Sequence, residues 1–154
     1  HHPITGGSSG AAPVPPNGSC DKTVATNWGE PYRAPTAGVI TECQTYFPII
    51  YSATTLHLNA GRGQGILIVN GDFKFNGNFD WYGLIIVKGR ILKGNGNANI
   101  FGGIMAAHIE TPDETEDMIT GNINVKYSQC SLEHAMRGSA QVVQAKERAW
   151  AELY

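Results

Sequence analysis

Charge is scarce in this chain of 154 residues: Asp, Glu, Lys and Arg make up 16%, against about a quarter in an average soluble domain. The surface must therefore be built from Asn, Thr, Ser, Gln and Gly, a composition typical of secreted β-rich proteins. The 11 Lys and Arg are scattered and the formal net charge is -2, so no basic stripe marks a nucleic-acid partner. No apolar run reaches the ~20 residues that span a bilayer. The N-terminus also lacks the basic-then-apolar order of a signal peptide. No membrane insertion of this chain is expected, and an exported form would have lost its signal or anchor or would carry it upstream of His1.

Cysteine is scarce too. Cys20, Cys43 and Cys130 are too far apart for a C-x-x-C zinc or redox motif. A Cys20–Cys43 disulfide is the expected pairing, because both residues flank one segment punctuated by Pro and Gly, and it leaves Cys130 as a buried thiol. Three reduced core cysteines in a cytosolic protein is the alternative. Glycine, by contrast, is abundant at 19 residues, which points to many tight turns.

One domain fits the length. Residues 1–19 hold Pro, Gly, Ser and other small residues, and read as a flexible arm. Asn17-Gly18-Ser19 matches a glycosylation sequon, making Asn17 a candidate for modification. Residues 20–47 carry Trp28, Tyr32 and Cys43 among turn residues and read as an irregular cap.

From Pro48 an internal repeat emerges. Apolar strings start at Ile49, Ile66, Leu84, Ile104 and Ile123, at intervals of 17, 18, 20 and 19 residues. A second column, starting at Leu56, Phe73 and Ile91, keeps the same phase. Gly65, Gly83 and Gly103 precede the strings, and Gly71 and Gly89 follow them, as corners would. Short strands separated by such corners make one coil of a parallel β-helix. The fold expected is a mainly β, single-domain parallel β-solenoid of about five coils over residues 48–132, with Phe73 over Ile91 and Ile68 over Ile86 as inward stacks. Ile66–Val69 and Leu84–Val87 are apolar on both faces, so something must cover the outer one. Within the C-terminal helical segment 133–154, Val142, Ala145, Ala149 and Leu153 recur at helical spacing, and this stretch or a partner subunit is the expected cover.

The run from Gly63 to Ile91, with its GILIVNG and YGLIIVKG strings, resembles the C-terminal domain of bacterial type IV pilus assembly proteins with a pilin-like N-terminus. Further matches are Cys20 with Asn27-Trp28-Gly29-Glu30-Pro31, Pro48-Ile49-Ile50-Tyr51, Tyr127 to Leu132, and Arg148 to Tyr154. The resemblance implies a domain outside the cell behind a membrane-anchored helix, and brings no catalytic residues with it. This chain departs from the family in lacking that hydrophobic helix.

The residues offer little chemistry. His57, His108 and His134 show no metal-ligand spacing. Asp113, Glu114, Glu116 and Asp117 could hold Ca²⁺ on a loop, but without the order of a calcium-binding motif they read as a solvated charged loop. Gly61-Arg62-Gly63-Gln64-Gly65 precedes a strand where a phosphate loop needs a helix, and reads as a corner. A glycosidase needs paired carboxylates, yet one coil after Asp72 and Asp80 stand Arg90 and Ala98. The strict six-residue apolar pattern of hexapeptide acyltransferases is missing. Trp81 and Tyr82 could stack on sugar rings, although core packing is the plainer reading of both. The expectation is an extracellular or cell-surface structural module, not an enzyme, with no cofactor. Its partners would be itself, in a homo-oligomer or filament, or pilus components; the alternative is a carbohydrate-binding or carbohydrate-active β-helix.

Overall fold

The computed structural model describes residues 2–4, 20–31, 42–93, 96–109 and 122–139. Asn17, Asp113, Glu114, Glu116, Asp117 and the helical stretch from Gln141 to Leu153 lie outside the described residues. The described strands are β1 (His2–Ile4), β2 (Ile49–Ser52), β3 (Leu56–Leu58), β4 (Gly61–Val69), β5 (Phe73–Phe75), β6 (Phe79–Lys93), β7 (Asn97–Ile109) and β8 (Asn122–Tyr127), followed by helix α1 (Gln129–Ser139).

Every pairing of the described strands is parallel. The chain is a β-solenoid of about three turns. The register defines three walls. β2, Ile66–Val69, Leu84–Val87 and Gly103–Ala106 make the first. β3, β5 and Ile91–Lys93 make the second. Gly61–Gly65, Phe79–Gly83, Asn97–Gly102 and β8 make the third.

The second column of the repeat stacks as read, with Leu56 on Phe73 and Phe73 on Ile91. Two details of the first column differ. Ile85, not Leu84, lies opposite Ile104, because this coil is 19 residues long where the apolar strings start 20 apart. Ile123 lies over Ala98 on the third wall, not over Ile104 on the first. The fifth string therefore belongs to the return of an incomplete fourth coil, and the coil count falls from five to about three.

Inward positions alternate with outward ones. Ile50, Leu67, Ile85, Val69 and Val87 are buried inside the first wall. Ile68 and Ile86 do stack, but they stand on the outer side of that wall and are half-buried. Coil two carries the bulk of the shaft. Phe73, Phe75, Phe79 and Trp81 are all about fully buried, with Phe73 edge-on to Phe79 at 5.8 Å and Phe79 stacked on Trp81 at 6.0 Å. On the third wall the neighbouring layers are small where coil two is large: Gly61 and Ala98 flank Phe79, and Gly63 lies beneath Trp81. Each large ring contributes about 2–3 kcal/mol by leaving water, and the size alternation lets four of them share one layer without overpacking.

A column of glycines turns the corner between the third and first walls. Gly65, Gly83 and Gly102 stack in register, with φ of 105°, 136° and 143°. A Cβ on Gly83 would collide with the Gly65 carbonyl oxygen, and one on Gly102 with that of Gly83. Only glycine accommodates both the positive φ and the approach of the coil below.

Helix α1 covers this corner. Ser128 caps it, its Oγ accepting from the Ser131 amide at 3.2 Å. Ala135 is fully buried and sits where a Cβ on Gly83 would lie 3.0 Å from its own. Leu132 packs near Leu84 over Gly103. The outward Leu84 thus has a cover, but it is supplied by a helix that begins at Gln129, four residues before the segment read as helical.

Candidate functional site

Among the described residues, the ends of the shaft and a cleft beside α1 combine exposure with shape.

The two ends are built differently. At the N-terminal end, the cap is tied down by a disulfide between Cys20 and Cys43, Cα atoms 5.0 Å apart. Asn27, 1% exposed, donates from Nδ2 to the Asp21 carbonyl at 2.8 Å and accepts from the Gly29 amide at 3.1 Å. Gln64 reaches down from the third wall, and its Nε2 lies 2.8–3.1 Å from the carbonyl oxygens of Cys43, Gln44 and Tyr46. Its backbone amide donates to the Trp28 carbonyl at 2.9 Å. Trp28 is fully buried and plugs the shaft. On the first wall, β1 pairs along the lower side of β2, with His2 opposite Ile50.

The C-terminal end has no such plug among the described residues. β8 pairs only with β7 there. Its inward Val125, one layer above the buried Ile100, is 48% exposed, and Tyr127 is 77% exposed. Met105 on the neighbouring wall is 62% exposed.

Outward residues of the third wall form two ladders that climb to this end. Asn99 donates to Asp80 at 2.8 Å, Asn124 donates to Asn99 at 3.3 Å, and Arg62 approaches Asp80 at 3.9 Å. The residue over Asp80 is thus Asn99, not Ala98, and the ladder is one of carboxamides. Beside it, Tyr82 stacks on Phe101 at 4.6 Å and 9°, with the Lys126 amine 5.5 Å from the Phe101 ring centre. On the second wall, Asp72 pairs with Arg90, accepting from its backbone amide at 2.8 Å and its guanidinium at 3.2 Å. These contacts hold the Asp72 carboxyl below its ordinary pKa.

The cleft, of about 720 Å³, lies between α1 and the cap. Gln44, Phe47, Tyr82, Cys130, His134 and Arg137 line it. The His134 ring lies parallel to Phe47, centroids 5.6 Å apart. Tyr82 belongs to this surface, but one of its faces is already taken by Phe101. Trp81 has the opposite orientation: it is fully buried and offers no face to a sugar. Cys130, expected to be buried, is an exposed thiol on the first turn of α1. His57 is exposed on β3. Gly61 to Gln64 is strand, not corner; only Gly65 turns. No group of three His, Cys, Asp or Glu is placed to hold a metal among the described residues, and no described helix is long and apolar enough to cross a membrane.

No family model, curated protein or solved structure matches this chain. The likeness to pilus assembly proteins therefore rests on the residue strings alone.

Sequence reasoning did not single out Gln64 or Val125. Gln64 had a signal of its own, a long amide between two glycines where the wall otherwise carries aromatic or charged side chains. Val125 had none, because the sequence does not say which coil is the last.

Proposed function

We propose that this protein is a structural block of an extracellular, pilus-linked surface assembly, working through protein contacts at the open end of its solenoid and not through catalysis. The observation that carries this reading is the contrast between the ends: Trp28 and the disulfide-tied cap close one, while Val125 and Tyr127 are 48% and 77% exposed on the terminal strand of the other. An uncovered strand edge with apolar side chains beside it recruits another chain. The disulfide favours an oxidising compartment, and the pilus-linked setting is taken from the resemblance of the GILIVNG and YGLIIVKG strings alone. Electron microscopy of the purified protein, with and without residues 1–19, tests the reading; assemblies are expected, and dispersed monomers at every concentration in both samples would remove its basis.

A carbohydrate-binding role is the second reading, and the cleft is its place, since its size and its mixture of Tyr82, His134 and Arg137 suit a small polar ligand. A glycan array with a reducing-sugar assay separates the two, because a structural block gives no signal in either.

A further inference from the structure

The open end presents a strand, β8, that among the described residues pairs on one side only, and the occupant of its other side deepens the assembly reading and rests on it. The Asn122 amide donates to the Gly96 carbonyl at 2.9 Å, so the even-numbered residues of β8 turn their backbone groups toward β7. In a strand, alternate residues point their N–H and C=O to opposite sides. Ile123, Val125 and Tyr127 therefore present theirs to the edge that no described strand covers. The same three residues carry the apolar, inward side of the strand: Val125 stands over Ile100, Ile123 over Ala98 and Tyr127 over Gly102.

An edge of this kind can continue in parallel, copy upon copy, only if the other end offers a bare edge in return. The edges it offers, those of β1 and β3, lie below the first and second walls, whereas β8 tops the third wall, whose lower side Trp28 and Gln64 close. The open end can instead meet its own kind about a twofold axis, the self-complementary arrangement of closed dimers. We propose that two copies join open end to open end, β8 pairing antiparallel with β8 of the second copy and Val125 on the axis. In that register Val125 faces its own mate and Ile123 faces Tyr127 of the other copy, each pair exchanging two backbone hydrogen bonds, about six in all. Directly opposed residues share a face of the sheet, so apolar meets apolar on the inner side. On the outer side Asn124 stands opposite Lys126, and no like charges are opposed. A register centred on Asn124 would leave Tyr127 without a described mate and lose about two of those bonds.

Sedimentation of the full chain is expected to show a dimer, and Val125→Arg, which sets two cations face to face on the axis, to shift it to monomer with an unchanged far-UV spectrum. A second variant keeps the test independent of any folding loss: in a Cys130→Ser background, Val125→Cys places two thiols in a hydrogen-bonded antiparallel pair, at a Cα separation of about 5.5 Å that a disulfide can span. Mild oxidation should cross-link this variant to a dimer at least tenfold faster than Met136→Cys in the same background, Met136 being a comparably exposed residue on α1. Equal cross-linking of the two overturns the pairing. Open-ended polymers that Val125→Arg caps would also overturn it while leaving the assembly role standing, whereas a monomer under all conditions defeats both.

Discussion

Trp28 lies edge-on beneath Trp81, ring centroids 6.0 Å apart and planes at 75°, in the space that Gly63 leaves in the lowest coil. The contact joins the cap to the shaft, so the solenoid floor is a side chain from outside the repeat. Its two indoles differ in one respect. Trp28 Nε1 donates to the Ala25 carbonyl at 3.1 Å, while Trp81 Nε1 is buried with no partner among the described residues.

Phenylalanine at each position is therefore expected to behave differently although the same atoms are removed. Trp28→Phe loses a hydrogen bond of about 1 kcal/mol, while Trp81→Phe relieves an unpaired buried donor worth about 1–3 kcal/mol. Urea unfolding should place Trp81→Phe about 2 kcal/mol or more above Trp28→Phe. Equal midpoints would mean that the Trp81 N–H has found a partner, such as an internal water.

The corner column makes a second contrast. Gly83→Ala forces a Cβ into the Gly65 carbonyl oxygen and against Ala135, at a φ of 136°; its cost should exceed about 3 kcal/mol, combining strain with displacement of α1. Gly103→Ala, where the nearest atom is a Leu132 methyl at 3.6 Å, should lie within about 1 kcal/mol of wild type. Thermal melts of the two variants check the pair, and similar losses in both would contradict this assignment of the corner to Gly102 and not Gly103.

That corner also marks the limit of what could be read in advance. Strings that recur every 17–20 residues declare stacking, and Leu56, Phe73 and Ile91 form their column because parallel in-register pairing is what such a period means. The period does not say which wall a string occupies. Ile123 follows Ile104 by 19 residues yet lies over Ala98, since a longer excursion between strands returns the chain to a different wall. Nor does a run of apolar residues reveal its inner side. Leu84 to Val87 is apolar throughout, and only α1 over Leu84 explains why both sides are oily. Trp81 and Tyr82 are adjacent and equally aromatic, and strand alternation sends one into the core and the other into the cleft.

Acid should weaken the second wall through Asp72. The Arg90 backbone amide and guanidinium lower its carboxyl pKa from the ordinary 3.8, so its contribution is fully present above that value and is lost as pH falls through the lower, folded one. Asp72→Asn lacks this dependence. Melting temperatures of the two proteins should differ at pH 6 and converge as the pH falls through the lowered Asp72 value, and a gap that persists beyond it would show that the substitution acts through packing and not through charge.

Reduction of the cap offers the last test. Breaking Cys20–Cys43, which closes a loop with a sequence separation of 23, is expected to lower stability by about 3 kcal/mol. The loss should be local, because Gln64 still holds the carbonyl oxygens of Cys43, Gln44 and Tyr46 after the sulfurs part. In the oxidised protein a thiol reagent should label Cys130 alone and without denaturant, since that thiol is exposed. Adding reductant should release two more reactive thiols while indole emission shifts little, Trp28 staying seated beneath Trp81. Gln64→Ala should change this outcome: with both tethers gone the cap swings away, Trp28 meets water, and the emission moves to the red on reduction. An unshifted spectrum in the reduced Gln64→Ala protein would mean that indole packing alone keeps the floor of the shaft in place.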